Sequence, residues 1–279
     1  MKTFQNKVAV VTGAASGIGR ALAERSAQEG MRVVLADVEK DGLAQTEAEM
    51  RSKNANVLAV QTDVSRYEDV EALADKSFST FGSVDLLFNN AGVGAGSTTW
   101  ESSLADWEWV LGVNLWGMIH GLRAFLPRML AQDSEGYIVN TASVAGLLSY
   151  HPSAPYQVSK HAVVSLSEHL YYTLKQRNAK LNAAVICPGW VKTRIMESAR
   201  NRPRELLNPS EPSGPEVEAV LESMRQEVQA GLAPEKVAEK TFEALRDGKF
   251  YILTNPELMP FVQARMSHLV QGLNPPDFS

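Results

Sequence analysis

The chain contains 279 residues, 44% of them hydrophobic, which is enough to bury a sizeable core within one α/β domain. A formal net charge of -5 and a pI near 5.6 argue against a nucleic-acid partner. The single cysteine, Cys187, excludes an intrachain disulfide framework, and no stretch is typical of a signal peptide or a membrane span. We therefore expect a cytoplasmic protein with no membrane partner.

Short apolar runs alternate with helical patterns along the whole chain. Right-handed crossovers would place these runs in one parallel sheet with helices on both faces. This pattern predicts an α/β fold with one doubly wound parallel sheet of about seven strands, in a single domain over residues 1–279. The predicted strands span residues 7–11, 32–37, 56–61, 84–89, 136–141, 181–187 and 250–253.

A glycine-rich turn joins the first predicted strand to a helical pattern over residues 18–29. Gly13, Gly17 and Gly19 let the backbone approach a pyrophosphate, whose charge then meets the free N–H groups and positive dipole end of the helix. This order of elements is typical of a Rossmann-type dinucleotide site, although the usual spacing is Gly-x-Gly-x-x-Gly rather than Gly-x-x-x-Gly-x-Gly. The alternative is a loop whose glycines serve only a tight connection.

Asp37 ends the second predicted strand, about where an acid would accept hydrogen bonds from the adenosine ribose. Its carboxylate would also repel the 2′-phosphate of NADP. Ala15 and Val38 bring no positive charge here, and Arg20 and Arg32 lie inside the helix and at the far end of the strand. The pattern favours NAD over NADP, the alternative being a solvated carboxylate that only ends a strand.

Further segments complete a known pattern. Asp63-Val64 closes the third predicted strand, Asn89-Asn90-Ala91-Gly92 closes the fourth, and Pro188-Gly189-Trp190-Val191-Lys192-Thr193 follows the sixth. With Thr12 ahead of the glycines, the chain resembles the short-chain dehydrogenase/reductase family over nearly its whole length. The resemblance implies an NAD site formed by Gly13, Ser16, Gly17, Ile18, Gly19, Asp37, Asp63, Val64, Asn90, Ala91, Gly92, Tyr156, Lys160, Pro188, Gly189, Val191 and Thr193.

The same resemblance implies a catalytic set of Asn114, Ser143, Tyr156 and Lys160. Tyr156 and Lys160 are one helical turn apart, so their side chains emerge on the same face. A phenol with a pKa of about 10 is a poor base near neutrality, and a neighbouring ammonium is expected to lower that pKa. Tyr156 would then act as general acid and base while Ser143 binds the substrate oxygen.

Asn114 lies in the predicted helical stretch 107–129 and, as in the family, would interrupt helical hydrogen bonding and orient a water that links Lys160 to solvent. Each residue of the set also has a structural reading. The Tyr–Lys spacing occurs by chance on many helices, Ser143 could cap a helix, and Asn114 could bond the backbone in the core. His151, just before Tyr156, is assigned no catalytic role.

Residues 194–233 depart from the regular pattern, with four arginines, a turn-rich stretch and a charged helix over residues 216–230. In the resembled family such an insertion covers the substrate pocket as a lid. In this chain, residues 256–279 are expected to form a C-terminal extension. Arg194, Arg200, Arg202 and Arg204 suggest either an acidic substrate or a solvated surface of that lid. Apolar candidates for the pocket favour a bulky or aromatic alcohol: Val93, Leu147, Leu148, Trp190, Ile195 and Met196.

These patterns predict an NAD-dependent oxidoreductase that transfers a hydride between the nicotinamide and a secondary alcohol or ketone, with no metal. The alternatives are an NADPH-dependent carbonyl reductase and a non-catalytic dinucleotide sensor on the same scaffold. The helices carrying Asn114 and Tyr156 are rich in apolar positions, and in the resembled family the corresponding pair forms a dimer interface. A homodimer or homotetramer is therefore expected.

Overall fold

A computed structural model describes residues 1–149, 152–209 and 214–277. Its centre is a seven-stranded sheet in the order β3-β2-β1-β4-β5-β6-β7, with every neighbouring pair parallel. The predicted doubly wound parallel sheet is confirmed. The strands are β1 Val8–Thr12, β2 Arg32–Asp37, β3 Val57–Gln61, β4 Leu86–Asn89, β5 Gly136–Thr141, β6 Leu181–Cys187 and β7 Tyr251–Leu253.

Helices cover both faces of this sheet. Within the described residues the α-helices are α1 Gly17–Gln28, α2 Lys40–Ser52, α3 Tyr67–Phe81, α4 Leu104–Leu111, α5 Gly117–Ala131, α6 Ala154–Gln176, α7 Pro215–Ala230, α8 Pro234–Asp247 and α9 Met259–Val270. None of these helices is long and apolar enough to cross a membrane.

Successive strand residues point into two different cores. Val11 and Phe88 belong to the core on the side of α1, α2 and α8, where Phe242 of α8 is fully buried. Val10 and Leu87 belong to the core on the side of α3, α5 and α6. Because both faces of the sheet are covered, the strands are continuous apolar runs rather than alternating ones. That is why the sequence located them so readily.

The sheet order reverses beside β1, which lies between β2 and β4. In open parallel sheets the crevice at the carboxyl ends of the strands at such a point is where ligands bind. The loops after β1, β2, β4, β5 and β6 all emerge at this edge because the strands are parallel. The fold thus gathers segments that are far apart in sequence.

Several element boundaries differ from the sequence prediction. Asp63 was expected to close the third strand, but β3 ends at Gln61 and Asp63 lies in the following turn, where its Oδ1 accepts from Ser65 N at 2.9 Å. The expected helical stretch 107–129 starts earlier, at Leu104, because Ser103 and Asp106 form a capping box. A π-helical turn over Gly112–Trp116 then separates α4 from α5.

The 194–233 segment contains two 3₁₀ turns, Ile195–Asn201 and Arg204–Leu206, followed by α7. Residues 210–213 of the turn-rich stretch and His151 lie outside the described residues. Beyond β7, a 3₁₀ turn over Pro256–Leu258 leads into α9. Arg265 of α9 donates from Nη1 to Leu147 O at 3.3 Å, so the C-terminal helix is tied to the loop after β5.

Candidate active site

One continuous cavity of about 970 Å³ lies at the carboxyl ends of the central strands. Its walls are formed by the loops after β1, β2, β3, β4, β5 and β6, by the start of α6 and by one side of α7. Every residue predicted to bind the cofactor lines this cavity, and so do Ser143, Tyr156 and Lys160. Asn114 is fully buried behind it.

The three glycines of the turn occupy positions where a side chain would be strained or would clash. Gly13 and Gly17 have φ angles of +70° and +54°, a region that glycine adopts without strain. A Cβ atom at Gly19 would lie only 2.0 Å from Gly13 O. Ser16 precedes α1, and the first turn of that helix, from Gly17, carries no acidic side chain. A backbone cradle at a helix N-terminus fits a dinucleotide pyrophosphate.

Thr12 and Asn90 fix the cradle against the end of β4. Thr12 Oγ1 accepts hydrogen bonds from Asn90 N at 2.8 Å and Ala91 N at 3.0 Å. Asn90 Nδ2 donates to Thr12 O at 2.9 Å, while Asn90 Oδ1 accepts from Thr141 Oγ1 at 3.1 Å. Hydrogen bonds that involve the Thr12 and Asn90 side chains therefore hold the ends of β1, β4 and β5 in one rigid unit.

Asp37 lies at the end of β2, is partly buried and lines the cavity. Its Oδ2 accepts from Ala15 N and its Oδ1 from Glu39 N, both at 2.9 Å. Burial raises the pKa of the Asp37 carboxyl, against the effect of the backbone N–H groups of Glu39, Ala15 and Val38. The Asp37 carboxylate is thus hydrogen-bonded to the glycine-rich turn that would hold a dinucleotide.

Arg20 and Arg32, the basic residues nearest to this position in sequence, are engaged elsewhere. Arg20 forms ion pairs with Glu24 and Glu49. Arg32 Nη1 donates to Phe81 O at 3.2 Å. Neither supplies a free cation for a 2′-phosphate.

Ser143, Tyr156 and Lys160 converge in the middle of the cavity. Ser143 lies in the extended backbone just after β5 and hydrogen-bonds the Tyr156 side chain. Tyr156 is in the first turn of α6, where Ser153 Oγ accepts from its backbone N at 3.4 Å and so caps the helix. Lys160 Nζ lies 5.4 Å from the centre of the Tyr156 ring. One turn of α6 thus presents both side chains together.

Lys160 is 3% exposed, and its Nζ donates to Thr141 O at 3.0 Å. An ammonium has three donors, so this bond leaves capacity for a cofactor ribose. A Cβ at Gly92 would lie 3.4 Å from Lys160 Nζ and equally far from Asn114 Oδ1. Gly92 therefore lies close to both side chains.

The pKa values differ from the sequence expectation. Burial raises the pKa of Tyr156, and the hydrogen bond from Ser143 opposes this only in part, so the expected lowering is not present in the structure. Burial also lowers the pKa of Lys160 to about 8. Burial disfavours a charge on either group, and this competes with the attraction that an ammonium exerts on a phenolate.

Asn114 occupies the middle of the π-helical turn between α4 and α5. Its Oδ1 accepts from Val93 N at 2.8 Å, and its Nδ2 donates to Val93 O and to Ser159 Oγ, both at 3.0 Å. This turn interrupts the regular hydrogen bonding of the helix. Single π-helical turns of this kind are frequent at functional sites. Asn114 thereby joins the loop after β4 to α6, next to Lys160.

The Pro188–Thr193 turn closes the cavity on the side of β6. Pro188 O accepts from Ser143 Oγ at 3.3 Å, and Gly189 N donates to Asn255 Oδ1 at 3.0 Å. A Cβ at Gly17 would lie 3.1 Å from Thr193 Cγ2, so this turn also reaches the glycine cradle.

The remaining walls are mainly apolar. Val93, Leu148, Trp190, Ile195 and Met196 line the cavity as predicted, whereas Leu147 packs in a separate core cluster. Sequence reasoning missed the side of α7 that faces the cavity. Its apolar residues recur at helical spacing, a signal that could have identified them. They are Val217, Val220, Leu221, Met224 and Val228.

The arginines of the 194–233 segment are bound within the protein. Arg202 Nη1 lies 2.7 Å from Asp106 Oδ1, both side chains are at most 5% exposed, and the guanidinium lies over the Trp109 ring. Arg200 and Arg194 both pair with Glu39. These three arginines are neutralised by partners, which weakens the interpretation that they bind an acidic substrate. No group of three His, Cys, Asp or Glu side chains in the described parts of the chain could hold a metal ion.

A family model described as short chain dehydrogenase matches residues 7–204. The chain belongs to the short-chain dehydrogenase family. A short-chain dehydrogenase/reductase from Burkholderia phymatum, solved in complex with NAD, is 47% identical and superposes with a TM-score of 0.96 over 99% of each chain.

Two curated relatives are similar over most of their length. The CLA biosynthesis dehydrogenase/reductase of Lactiplantibacillus plantarum is 34% identical over 273 residues, 97% of this chain and 95% of that protein. The 1-deoxy-11-beta-hydroxypentalenate dehydrogenase of Streptomyces exfoliatus is 35% identical over 256 residues, 91% of this chain and 85% of that protein. The chain is thus an oxidoreductase of the short-chain dehydrogenase family, and the resemblance predicted from its motifs is confirmed.

The family match ends at residue 204, whereas the cavity continues along α7. The cradle, Ser143, Tyr156 and Lys160 all lie inside the matched part. The apolar face of α7 lies outside it.

Proposed function

We propose that this short-chain dehydrogenase uses NAD to interconvert a secondary alcohol and its ketone. The observation that carries the proposal is the convergence of Ser143, Tyr156 and Lys160 in the same cavity as the glycine cradle. A sensor of dinucleotides would need the cradle but not this set. The NAD complex of the Burkholderia phymatum neighbour supports the choice of cofactor.

The cofactor would be held mainly by backbone. The cradle and the N-terminus of α1 would bind the pyrophosphate, and the Asp37 carboxylate the adenosine ribose. Lys160 would donate to the nicotinamide ribose, and the 188–193 turn would position the nicotinamide. Asp63 and Val64 would lie beside the adenine, and Asn90, Ala91 and Gly92 beside the cofactor, since all five line the cavity.

Tyr156 would move the proton of the reaction. In the oxidation direction the substrate hydroxyl proton passes to the Tyr156 oxygen, while Ser143 binds the substrate oxygen through a hydrogen bond. NAD, when bound, supplies the chemistry of hydride acceptance. The charge of Lys160 would favour the phenolate form of Tyr156. Asn114 would fix the loop after β4 beside Lys160 and would hold a water that links Lys160 to solvent.

The substrate would be uncharged and bulky or aromatic. The cavity walls are mainly apolar. The carboxylates of Glu197, Glu39 and Asp106 pair with the guanidinium groups of Arg194, Arg200 and Arg202, respectively. A carboxylate substrate would find no available cation among these three. We propose that the 194–233 segment acts as a lid over this substrate, in a single domain with residues 256–279 as a C-terminal extension.

We further propose that the protein is a cytoplasmic homodimer or homotetramer. Trp116, Val158 and Tyr172, which lie on the π-helical turn and α6, are 54%, 47% and 63% exposed. Exposed apolar side chains on these long helices support a two-fold contact between copies. Light scattering at micromolar concentration would contradict this assembly if it gave the mass of one chain.

A cofactor-by-substrate screen tests the proposed activity. Secondary alcohols would be offered with NAD and NADP, and ketones with the reduced cofactors, while the absorbance of the reduced nicotinamide is followed. Turnover of apolar, uncharged substrates with NAD supports the proposal. Turnover only with the phosphorylated cofactor would favour an NADPH-dependent reductase, and binding without turnover across the panel would favour a sensor.

A further inference from the structure

Glu39 lies directly before α2, and the sequence motifs give it no role. Its Oε1 accepts hydrogen bonds from Arg200 Nε and Asn201 Nδ2, both at 2.8 Å. Arg200 Nη2 lies 2.6 Å from the same oxygen, and Arg194 Nη1 lies 3.7 Å from Oε2. One carboxylate thus faces two guanidinium groups of the 194–233 segment.

This cluster is joined to Asp37. Glu39 N donates to Asp37 Oδ1 at 2.9 Å, and Asp37 Oδ2 accepts from Ala15 N in the glycine-rich turn. Asp37, Glu39, Arg194 and Arg200 all line the cavity. Two acids and two arginines therefore share the end of the cavity where the adenosine ribose is proposed to bind.

Glu39 is an anion near neutral pH. Its burial raises the pKa of the carboxyl, but the hydrogen bonds from Asn201 and Arg200 and the charges of Arg200 and Arg194 hold that pKa below its usual range. Arg200 is further fixed by donation from Nη1 to Arg194 O at 3.1 Å and to Glu197 O at 2.9 Å. The pair is therefore geometrically defined rather than a loose surface contact.

We infer that Glu39 is a second determinant of cofactor choice, beside Asp37, an inference that rests on the proposed use of NAD. Arginine guanidinium groups bind phosphate in bidentate fashion. Arg194 and Arg200 are the groups that could accept a 2′-phosphate at this end of the cavity. The Glu39 carboxylate pairs with both, and Glu197 also pairs with Arg194, so these ion pairs compete with a 2′-phosphate for the two arginines.

The test compares the dissociation constants of NADH and NADPH, measured by isothermal titration without substrate. Glu39→Gln keeps the shape and an acceptor oxygen but removes the charge. We expect it to bind NADPH about tenfold more tightly or better, since a hydrogen bond to a charged group contributes that much. Affinity for NADH should change by less than about threefold, because its ribose has no phosphate to meet the arginines.

Two further variants locate the effect. Adding Arg200→Gln to Glu39→Gln should remove most of the gain in NADPH affinity. Glu239→Gln is the matched control, because Glu239 accepts from Lys236 Nζ at 2.5 Å in an exposed ion pair on α8 and does not line the cavity. We expect it to leave the ratio of the two constants within about twofold of the wild-type value, as an exposed ion pair contributes little.

An unchanged ratio in Glu39→Gln, or a gain that persists in the double variant, would overturn the inference. Equal weakening of both cofactors would also overturn it, because it would show that Glu39 only supports the fold of the site. The wild-type titration separates the two proposals. Tighter binding of NADPH than NADH by the unmodified protein would refute the proposed use of NAD itself.

Discussion

The glycine cradle and the 194–233 segment enclose the same cavity but are held in place by different forces. The cradle is fixed by backbone geometry and by bonds such as Asn90 N to Thr12 Oγ1 at 2.8 Å, on strands buried on both faces. The 194–233 segment is held by charged side chains that reach back to Glu39 and Asp106. In the proposed function, the rigid part positions the reacting groups, while the ion-paired part selects the substrate and the cofactor.

This contrast predicts that changes in the rigid part can separate chemistry from binding. Tyr156→Phe keeps the ring in place but removes the transferable proton. Turnover should fall by about 10²- to 10⁴-fold, the usual contribution of general acid and base catalysis. NADH affinity should stay within about threefold, because the cradle contacts the cofactor independently of the phenol oxygen. Steady-state kinetics on a substrate found in the screen, together with NADH titration, measures both quantities.

Tyr171→Phe is a suitable control, since it removes a phenol from the same helix outside the cavity. It should leave turnover unchanged within about twofold. Near-normal turnover of Tyr156→Phe would mean that another group carries the proton. The proposed separation of catalysis from cofactor binding at Tyr156 would then be wrong.

The second prediction concerns the buried ion pair between Asp106 and Arg202, which holds the 194–233 segment in place. Asp106→Asn leaves the buried Arg202 guanidinium without its counter-charge, which should lower the free energy of unfolding by about 3 kcal/mol. The hydrogen bonds from Arg202, Asn208 and Ser103 N outweigh burial and hold the pKa of Asp106 below its usual value. The stabilisation that the Asp106 charge contributes to the folded state is therefore present at neutral pH. It is lost as the pH falls through the lowered pKa of Asp106.

Urea unfolding at neutral and acidic pH measures this difference. Lys180→Gln is the control, because its ion pair with Asp133 is exposed, with side-chain exposures of 57% and 79%. Its effect should stay below about 1 kcal/mol. If Asp106→Asn costs no more than this control, the ion pair does not anchor the segment.

The sequence predicted the rigid part far better than the ion-paired part, for a physical reason. Gly13, Gly17 and Asp37 act through local backbone geometry at strand ends, which short motifs record directly. The pairing of Glu39 with Arg200 joins residues 161 positions apart, and no local pattern encodes it. The helical periodicity of α7 was visible in the sequence, but periodicity alone does not say which surface an apolar face covers.

Two errors have equally concrete causes. Leu147 was predicted to line the pocket as one of several apolar candidates, yet it packs in a core cluster with residues such as Val163 instead. The expected lowering of the Tyr156 pKa considered the charge of Lys160 but not burial, which raises this pKa in the structure and outweighs the hydrogen bond from Ser143. The lining of the pocket and the pKa of Tyr156 both depend on which atoms face solvent, and tertiary packing determines this exposure.

The third prediction concerns the buried charge inside the rigid part. The pKa of Lys160 is lowered to about 8 from an ordinary 10.5, so the folded state disfavours its ammonium. Lys160→Met should therefore be more stable than the wild type at pH 7, by up to about 3 kcal/mol. Loss of the bond to Thr141 O offsets part of this gain. The advantage should shrink as the pH rises from about 8 towards 10.5, where the unfolded chain also loses the proton.

Urea unfolding of both proteins at pH 7 and near pH 10 tests the sign, with the exposed Lys180→Met as control. A wild type that is more stable than Lys160→Met at pH 7 would show that the charge is satisfied in the fold. Activity of Lys160→Met should be strongly reduced at either pH. Stability and function would then oppose each other at this position, as is common at active sites.

The smallest expected effect lies on the apolar face of α7. Met224 lines the cavity and is only partly buried, so Met224→Ala removes contacts with a bulky substrate without disturbing the rigid part. We expect KM for a bulky ketone to rise by about three- to tenfold with kcat nearly unchanged, because the lost contact is made equally in the ground and transition states. Gln226→Ala, on the exposed side of the same helix, should leave KM unaltered. A fall in kcat with unchanged KM would instead place Met224 among the residues that orient the reacting groups, and the division between the two parts of the cavity would fail at this helix.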